Sequence, residues 1–253
     1  LWTFSTLGWP ERTNDLATFH PTSFMSPAYE ILNLWVSRMI LMSGFHLGQV
    51  PFKTVMIHGL VRDSKGRKFS KSLANGIDPL DLIGKYGADA LRMGLLVGTA
   101  IGNDAKFDEQ KVKGYKHFAN KLWNITRFVL ESAHGMGADA ALTEADAALA
   151  AEFDALAADV TRDMEEYRIY MAAEKLYHYA WHRLADELLE ESKPIFRGED
   201  AAAKSSRAAL LLSILDSLMR LLHPFMPFVT EEIWRSLPSN AGKMLMIAPW
   251  PVR

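Results

Sequence analysis

Proline and glycine divide this sequence into two parts that have different folding options. Gly, Pro and turn-forming residues recur through the first hundred residues, where short strand-like runs alternate with helical ones. After about residue 108 proline is absent until Pro194, and apolar residues recur at helical spacing. A chain of 253 residues is long enough for two ordinary domains. We therefore expect a mixed fold, with an α/β unit over 1–107 and an all-α bundle over 108–253.

The spacing of apolar and turn-forming residues predicts individual elements. In the first part it predicts a helix over 30–43, a strand over 53–58, a hairpin over 61–69, and a helix that starts at Asp78-Pro79 and runs toward Val97. In the second part it predicts helices near 108–132, 144–168, 171–191, 203–222 and 228–237, and a short strand near 245–248.

Composition excludes several classes of function. The chain has no cysteine, which excludes disulfides, thiolate metal sites and cysteine nucleophiles, and which fits a reducing compartment. The longest apolar runs are interrupted by charged residues, so no membrane span is expected. His178, His182 and Asp186 have metal-ligand spacing, but the residues around them favour a structural role. We expect no protein-bound metal.

The net charge of −2 hides two basic segments, one over 62–71 and one over 106–127. On a helical wheel, the polar residues of the second segment share one side and include no acid. They are Lys113, Lys116, Asn120, Asn124 and Arg127. A solvated helix face usually mixes both signs of charge, so the pattern leaves two interpretations open, an ordinary polar face and a phosphate-facing stripe.

The strongest chemical signal lies at the end of the predicted hairpin. Two lysines and two serines follow Gly66 within six residues, and Asn75-Gly76 then leads to a helix N-terminus. Mobile ammonium groups, hydroxyl donors and a helix N-terminus suit a polyphosphate. Such lysines would stabilise the charge that grows on a departing pyrophosphate. A solvated basic loop is the alternative interpretation.

Lys68-Phe69-Ser70-Lys71-Ser72 resembles the KMSKS signature of class I aminoacyl-tRNA synthetases, with Phe in place of Met. Its flanks are similar to those of the valyl, isoleucyl and leucyl enzymes, over residues 57–63, 75–79 and 86–92. Other segments resemble the valyl branch of the family in particular, namely 4–10, 35–39, 120–124, 223–234 and 248–251. The resemblance covers essentially the whole chain.

The resemblance implies an architecture: the C-terminal half of a Rossmann-like catalytic domain, followed by a helical anticodon-binding domain. We find no HIGH-type motif and no editing domain, so we expect this chain alone to be inactive. The implied activity is ATP- and Mg²⁺-dependent activation of valine and its transfer to a valine-specific tRNA, by a cytoplasmic monomer that contacts no membrane. Two alternatives stay open, an isoleucyl or leucyl relative and a non-catalytic tRNA-binding module.

Residue roles follow from the resemblance one position at a time. Lys71 would be the main contact to the ATP phosphates, supported by Lys68, and both would be catalytic. The rest of the ATP site would comprise Phe69, Ser70 and Ser72, with His58 and Gly59 in the adenine pocket. The stripe Lys113, Lys116, Asn120, Asn124 and Arg127 would contact tRNA.

The segment Tyr29-Glu30-Ile31 resembles one that lies near the aminoacyl-adenylate in the family. Glu30 would contact the adenylate, and Ile31 and Trp35 would line the valine pocket, with plain core packing as the alternative. Two departures affect this region. Ala28 replaces a glycine, so a ligand cannot approach the backbone as closely, and Glu30 replaces Asp with one more methylene.

Overall fold

The chain forms two compact units, and each unit contains two separate segments of the sequence. The structure is a computed structural model that describes residues 1–136, 139–240 and 242–251. Unit 1 comprises Leu1–Ala74 and Thr99–Phe107, and unit 2 comprises Asn75–Gly98 and Asp108–Arg253. The segment Asn75–Gly98 packs within unit 2, although chain order placed it in the expected 1–107 domain. The division of the chain into functional domains stays a prediction.

Unit 1 contains two small parallel sheets. Strands β1 and β2 pair in parallel, with Thr22 opposite Phe52 and Met25 opposite Val55, and a helical run connects them. The elements are α1 (Trp2–Ser5), α2 (Asn14–Phe19), β1 (Thr22–Met25), a 3₁₀ turn (Tyr29–Ile31), a π-helical segment (Leu32–Val36), α3 (Ser37–Leu47), β2 (Phe52–Val55), β3 (Val61–Arg62) and β4 (Ala105–Lys106). The expected helix over 30–43 therefore exists as a longer helical run, and the expected strand over 53–58 is shorter.

The small core of unit 1 forms around a buried phenylalanine. The Phe4 ring makes edge contacts with Trp9 and His20, at centroid distances of 5.6 and 5.9 Å. His20 Nε2 lies 3.1 Å from the Ser43 hydroxyl of α3, and burial lowers the pKa of this histidine. Phe4 of α1 thus packs against His20, and His20 in turn contacts α3.

Unit 2 is a bundle of helices. They are α4 (Pro79–Tyr86), α5 (Ala88–Leu96), α6 (Glu109–Ser132), α7 (Glu144–Glu165), α8 (Ile169–His178), a π-helical continuation (Tyr179–Leu188), α9 (Leu189–Arg197), α10 (Ala201–Leu222) and α11 (Pro227–Ser236). Asp78, Asp108, Thr143 and Asp200 cap α4, α6, α7 and α10 by accepting first-turn N–H groups. No helix among the described residues combines the length and apolar character needed to cross a bilayer.

Two local predictions were incomplete or wrong. The helix that begins at Pro79 breaks at Gly87, whose φ of +89° is accessible to glycine, and α5 starts one residue later. The strand expected near 245–248 is a 3₁₀ turn over Leu245–Ile247. There the Leu245 N–H donates to the Glu231 carboxylate of α11 and the Ala248 N–H to the Leu245 carbonyl, so neither group pairs with a neighbouring strand.

A pair of charged side chains on α5 holds the start of α11. The Asp89 carboxylate accepts the N–H groups of Phe228 and Val229, at 3.2 and 2.7 Å, and so satisfies first-turn donors that have no partner inside the helix. Arg92 donates to the carbonyls of Phe225 and Pro224, at 3.0 and 2.8 Å. Burial raises the pKa of Asp89, and the two N–H donors oppose that rise. This contact accounts structurally for two motifs that the sequence singled out, 86–92 and 223–234.

A buried ion pair joins α7 to α10. Arg207 Nε lies 2.7 Å from Asp146 Oδ1, and both side chains are less than a tenth exposed. The Ser206 hydroxyl donates to the second Asp146 oxygen at 2.5 Å, and Arg207 Nη1 donates to Ser192 at 2.9 Å. Both charges are buried and each is the other's partner, so removal of one leaves the other buried without a compensating charge.

We predict that Asp146→Asn lowers the free energy of unfolding by about 3–5 kcal/mol, because it leaves the Arg207 charge uncompensated. Glu190→Gln is the control: it removes an exposed partner of Lys193 and should cost less than about 1 kcal/mol. Urea unfolding at neutral pH, followed by circular dichroism, measures both. Equal effects of the two substitutions would contradict the assigned role of the buried pair.

Candidate functional site

The hairpin that precedes the lysine–serine signature forms as expected. Arg62 and Lys68 make an antiparallel bridge, and Gly66 closes the turn with a φ of +77°. The buried Asp63 carboxylate accepts the N–H groups of Lys65 and Arg67, at 3.0 and 2.8 Å, and the Arg67 side chain at 2.8 Å. The turn is therefore held from within by one carboxylate, which fixes where the following residues begin.

The 68–72 loop presents its polar groups on the surface of unit 1. The hydroxyls of Ser70 and Ser72 lie 3.0 Å apart, and the Ser70 hydroxyl accepts the Leu73 N–H at 3.2 Å. Lys71 and Ser72 are exposed, whereas Phe69 is half-buried. The loop thus combines an exposed ammonium group with a small cluster of hydroxyls, which is the donor chemistry that the sequence predicted.

Lys68 meets one of the residues expected at the adenylate. Its ammonium nitrogen lies 2.5 Å from Glu30 Oε2, and this contact joins the loop to the 3₁₀ turn Tyr29–Ile31. The two residues are 38 positions apart in sequence. The structure therefore brings together Lys68, which is expected to contact the ATP phosphates, and Glu30, which is expected to contact the adenylate. The contact is made by the glutamate side chain, which is one methylene longer than the aspartate of the family pattern.

The two apolar residues expected in the valine pocket are on the surface. Ile31 is 36% exposed and Trp35 is 50% exposed, so neither is part of the core of unit 1. The alternative interpretation of both as plain core residues is wrong. They lie on the 3₁₀ turn and the π-helical segment that follow Ala28, next to Glu30 in the chain.

His58 and Gly59 lie beside the same turn. The His58 backbone donates to Pro27 at 3.0 Å and accepts from Tyr29 at 3.2 Å, and its exposed ring donates through Nδ1 to the Gly59 carbonyl at 2.8 Å. Gly59 faces a neighbouring backbone so closely that a Cβ there would lie 2.0 Å from the Asn103 carbonyl oxygen. Only glycine permits this approach.

The sequence did not predict a polar cluster that Asp104 forms with Arg62 of the hairpin and Tyr29 of the 3₁₀ turn. Asp104 accepts the Leu60 N–H at 2.7 Å and the Arg62 Nε at 2.5 Å, and the Tyr29 hydroxyl donates to it at 3.4 Å. These bonds hold the pKa of Asp104 below its ordinary value, and the bond to Asp104 raises the pKa of Arg62. Asp104 lies 42 residues beyond Arg62, and no local pattern marks it as a partner.

The polar stripe of α6 is exposed as the helical wheel predicted. Its members Lys113, Lys116, Asn120, Asn124 and Arg127 all face outward, and the opposite side, with Phe118 and Leu122, is buried. Lys116 donates to the Lys85 carbonyl at 2.9 Å, and Arg127 lies 3.9 Å from Glu131. The stripe therefore presents cationic and amide groups along one face of a single helix in unit 2.

Comparison with known proteins matches two segments of the chain to known families. Residues 1–108 match the family of class I tRNA synthetases (I, L, M and V), and residues 146–253 match the anticodon-binding domain of tRNA ligase. These two segments therefore combine part of the catalytic domain of class I tRNA synthetases with an anticodon-binding domain.

Several curated relatives that match this chain are valine–tRNA ligases. Those of Clostridium tetani and Carboxydothermus hydrogenoformans are both 44% identical to it over 99% of this chain, and that of Syntrophotalea carbinolica is 46% identical over 95%. The chain spans 29% of the length of the first two relatives and 27% of the third.

Solved structures show the same fold at lower identity. Methionyl-tRNA synthetase of Mycobacterium tuberculosis, in complex with methionyl-adenylate, matches with a TM-score of 0.76 at 19% identity, over 95% of this chain and 51% of that one. A ternary complex of LeuRS, tRNA and LeuAMS from Agrobacterium radiobacter matches with a TM-score of 0.73 at 23% identity, over 95% of this chain and 30% of that one. At these identities the similarity establishes the fold.

We predict that Gly59→Ala destabilises the chain by about 1–3 kcal/mol, because the added Cβ overlaps the Asn103 backbone. The matched control is Gly44→Ala in α3, where a Cβ meets nothing within 4 Å. That control should be neutral or should stabilise by up to about 1 kcal/mol, since alanine is the better helix former. Thermal unfolding of the two variants tests the claim, and a Gly59→Ala protein as stable as the wild type would contradict it.

Proposed function

We propose that this chain supplies the ATP-phosphate loop and the tRNA-contacting helical bundle of a valine–tRNA ligase. The observation that carries the proposal is the contact between Lys68 of the 68–72 loop and Glu30 of the 3₁₀ turn. It puts the groups expected at ATP and at the adenylate within hydrogen-bond distance inside one unit. The 44% identity to valine–tRNA ligases supports valine as the amino acid.

The proposed reaction begins with valine activation. The valine carboxylate attacks the α-phosphate of ATP, the new C–O–P link forms valyl-adenylate, and the bond to the departing pyrophosphate breaks. This step needs orientation and charge stabilisation and no general base. Lys71 and Lys68 would stabilise the negative charge on the pyrophosphate, while Ser70 and Ser72 donate hydrogen bonds to its oxygens.

The second step transfers valine to tRNA. A hydroxyl at the 3′ end of the tRNA attacks the carbonyl of valyl-adenylate, and AMP leaves. Within the adenylate site we assign Glu30 to polar contacts and the exposed Ile31 and Trp35 to the valine side chain, since apolar groups open to solvent suit an isopropyl group. His58 and Gly59 are assigned to the adenine side, next to the same turn.

The donor set of the loop fits phosphate better than a cation. Lys68, Lys71 and the serine hydroxyls offer ammonium and O–H donors, and the nearby Glu30 carboxylate is already paired with Lys68. Mg²⁺ prefers carboxylate and phosphate oxygens and is commonly bound through substrate phosphates. We therefore assign Mg²⁺ to the nucleotide that the loop holds, where it would neutralise phosphate charge.

The bundle is assigned to tRNA. The α6 stripe of Lys113, Lys116, Asn120, Asn124 and Arg127 runs along one exposed helix face, and cationic side chains of this kind neutralise phosphates. We retain the functional boundary between 107 and 108, with catalysis before it and anticodon binding after it. The proposal also includes a cytoplasmic location and a monomeric state.

We predict that Lys71→Ala weakens ATP binding to this chain by a factor of about 10 to 100, because a hydrogen bond to a charged group is worth about 1.5–3 kcal/mol. The control is Lys65→Ala, which removes the same charge from the exposed tip of the hairpin. Titration calorimetry with ATP at low salt measures both. If Lys65→Ala weakens binding as much as Lys71→Ala, the loop acts only as a general positive patch.

For tRNA, we predict that replacing Lys113, Lys116 and Arg127 with Gln weakens binding of a valine tRNA transcript and lowers the salt slope by about two to three units. The charge-matched control replaces Lys193, Arg197 and Lys204, which lie on α9 and α10. Binding is measured across a series of salt concentrations, with isoleucine and leucine transcripts for comparison. An unchanged slope would contradict the stripe assignment, and equal binding of all three transcripts would contradict valine specificity in this chain.

A further inference from the structure

Asp104 is where three segments of unit 1 meet. Its Oδ1 accepts the Leu60 N–H, which leads into β3, and its Oδ2 lies 2.5 Å from Arg62 Nε within β3. The Tyr29 hydroxyl reaches the same oxygen at 3.4 Å. Asp104 itself precedes β4, which pairs in parallel with β3. One carboxylate therefore connects β3, the 3₁₀ turn Tyr29–Ile31 and the start of β4.

Arg62 extends this connection toward the 68–72 loop. Its Nη2 donates to the Tyr29 hydroxyl at 3.3 Å, and its Nη1 lies 3.4 Å from the Gly66 carbonyl at the hairpin turn. Its backbone forms the antiparallel bridge to Lys68. The guanidinium thus touches both the turn that carries Glu30 and the hairpin that carries Lys68.

The negative charge of Asp104 limits the role that this residue can have in phosphate binding. A carboxylate repels a phosphate group, so Asp104 has no direct part in binding one. What it can do is hold the Arg62 guanidinium in one orientation, because Nε is bonded to Asp104 and the two terminal nitrogens are left for Tyr29 and Gly66. Its own position is fixed independently by the Leu60 N–H.

We propose that Asp104 is a positioning residue for the phosphate-binding loop, acting through Arg62 to set the distance between the Glu30 turn and the Lys68–Lys71 segment. The inference rests on the proposed function, because it takes the loop to bind nucleotide phosphate. It adds a residue that no signature motif contains and that lies 32 positions or more beyond the loop.

The test is a double-mutant cycle on the 253-residue chain, with inorganic tripolyphosphate as the probe. Asp104→Asn keeps an acceptor for Leu60 and removes the charge that holds Arg62. We expect it to weaken tripolyphosphate binding about threefold to fivefold, as expected for a partly exposed ion pair. The double variant Asp104→Asn/Arg62→Gln should bind tripolyphosphate as tightly as the single variant Arg62→Gln, because both substitutions break the same contact between Asp104 and Arg62.

The matched control is Asp108→Asn, which removes a carboxylate that caps α6 in unit 2, and it should leave tripolyphosphate affinity unchanged. Amide hydrogen exchange supplies a readout that needs no ligand. In Asp104→Asn, exchange should become faster over residues 29–31 and 66–73 and stay unchanged in the bundle. Circular dichroism confirms that each variant is folded.

Two results would overturn the inference. One is wild-type affinity in Asp104→Asn, and the other is full additivity of the Asp104 and Arg62 effects. If the wild-type chain itself binds no tripolyphosphate, the proposed role of the loop fails, and hydrogen exchange alone decides on positioning. Unchanged exchange over residues 66–73 then refutes the role of Asp104, and faster exchange supports it.

Discussion

The parallel pairing of β3 with β4 is the constraint on which the candidate site depends. Parallel strands cannot be joined by a tight turn and need a crossover connection of a dozen or more residues. Here the connection runs from Arg62 to Ala105 and contains the hairpin, the 68–72 loop, α4 and α5. Because Ala105 pairs with Val61 at the end of this connection, the preceding residue, Asp104, lies beside Arg62. The same return places the start of α6 directly after β4.

Within the site, the two signature lysines occupy different electrostatic environments. Lys68 is bridged through its backbone to Arg62 and through its ammonium group to Glu30, whereas Lys71 lies on the exposed part of the loop. An ion pair this exposed contributes little to stability, about 1 kcal/mol or less. Its effect is therefore on geometry: it keeps the Lys68 ammonium group beside Glu30 of the 3₁₀ turn, whereas the Lys71 side chain is exposed.

Local chemistry could be predicted from the sequence, and long-range pairing could not. The Asp78-Pro79 helix start, the Gly66 turn and the exposed stripe of α6 follow from backbone preferences and helical periodicity, which act within a few residues. The Asp104–Arg62 pair and the close approach of Gly59 to Asn103 depend on the crossover, which joins residues about 42 positions apart. The surface position of Ile31 and Trp35 was equally hidden, because an apolar residue at helical spacing looks the same in a core and in a binding surface.

Polar contacts add to the apolar core in organising unit 2. Asp89 and Arg92 satisfy backbone groups at the start of α11, and Asp146 with Arg207 satisfies charges between α7 and α10. Asp89, Asp146 and Arg207 are buried and would be costly to bury alone, so each restricts the bundle to arrangements in which its partner is present. The α6 stripe differs, since its three cations follow one exposed face, with Glu109 one turn before it and Glu131 one turn after it. Like charges along one face oppose each other and weaken the isolated helix. Cations gathered on one exposed helix face are the arrangement that the proposed contact with tRNA phosphates requires.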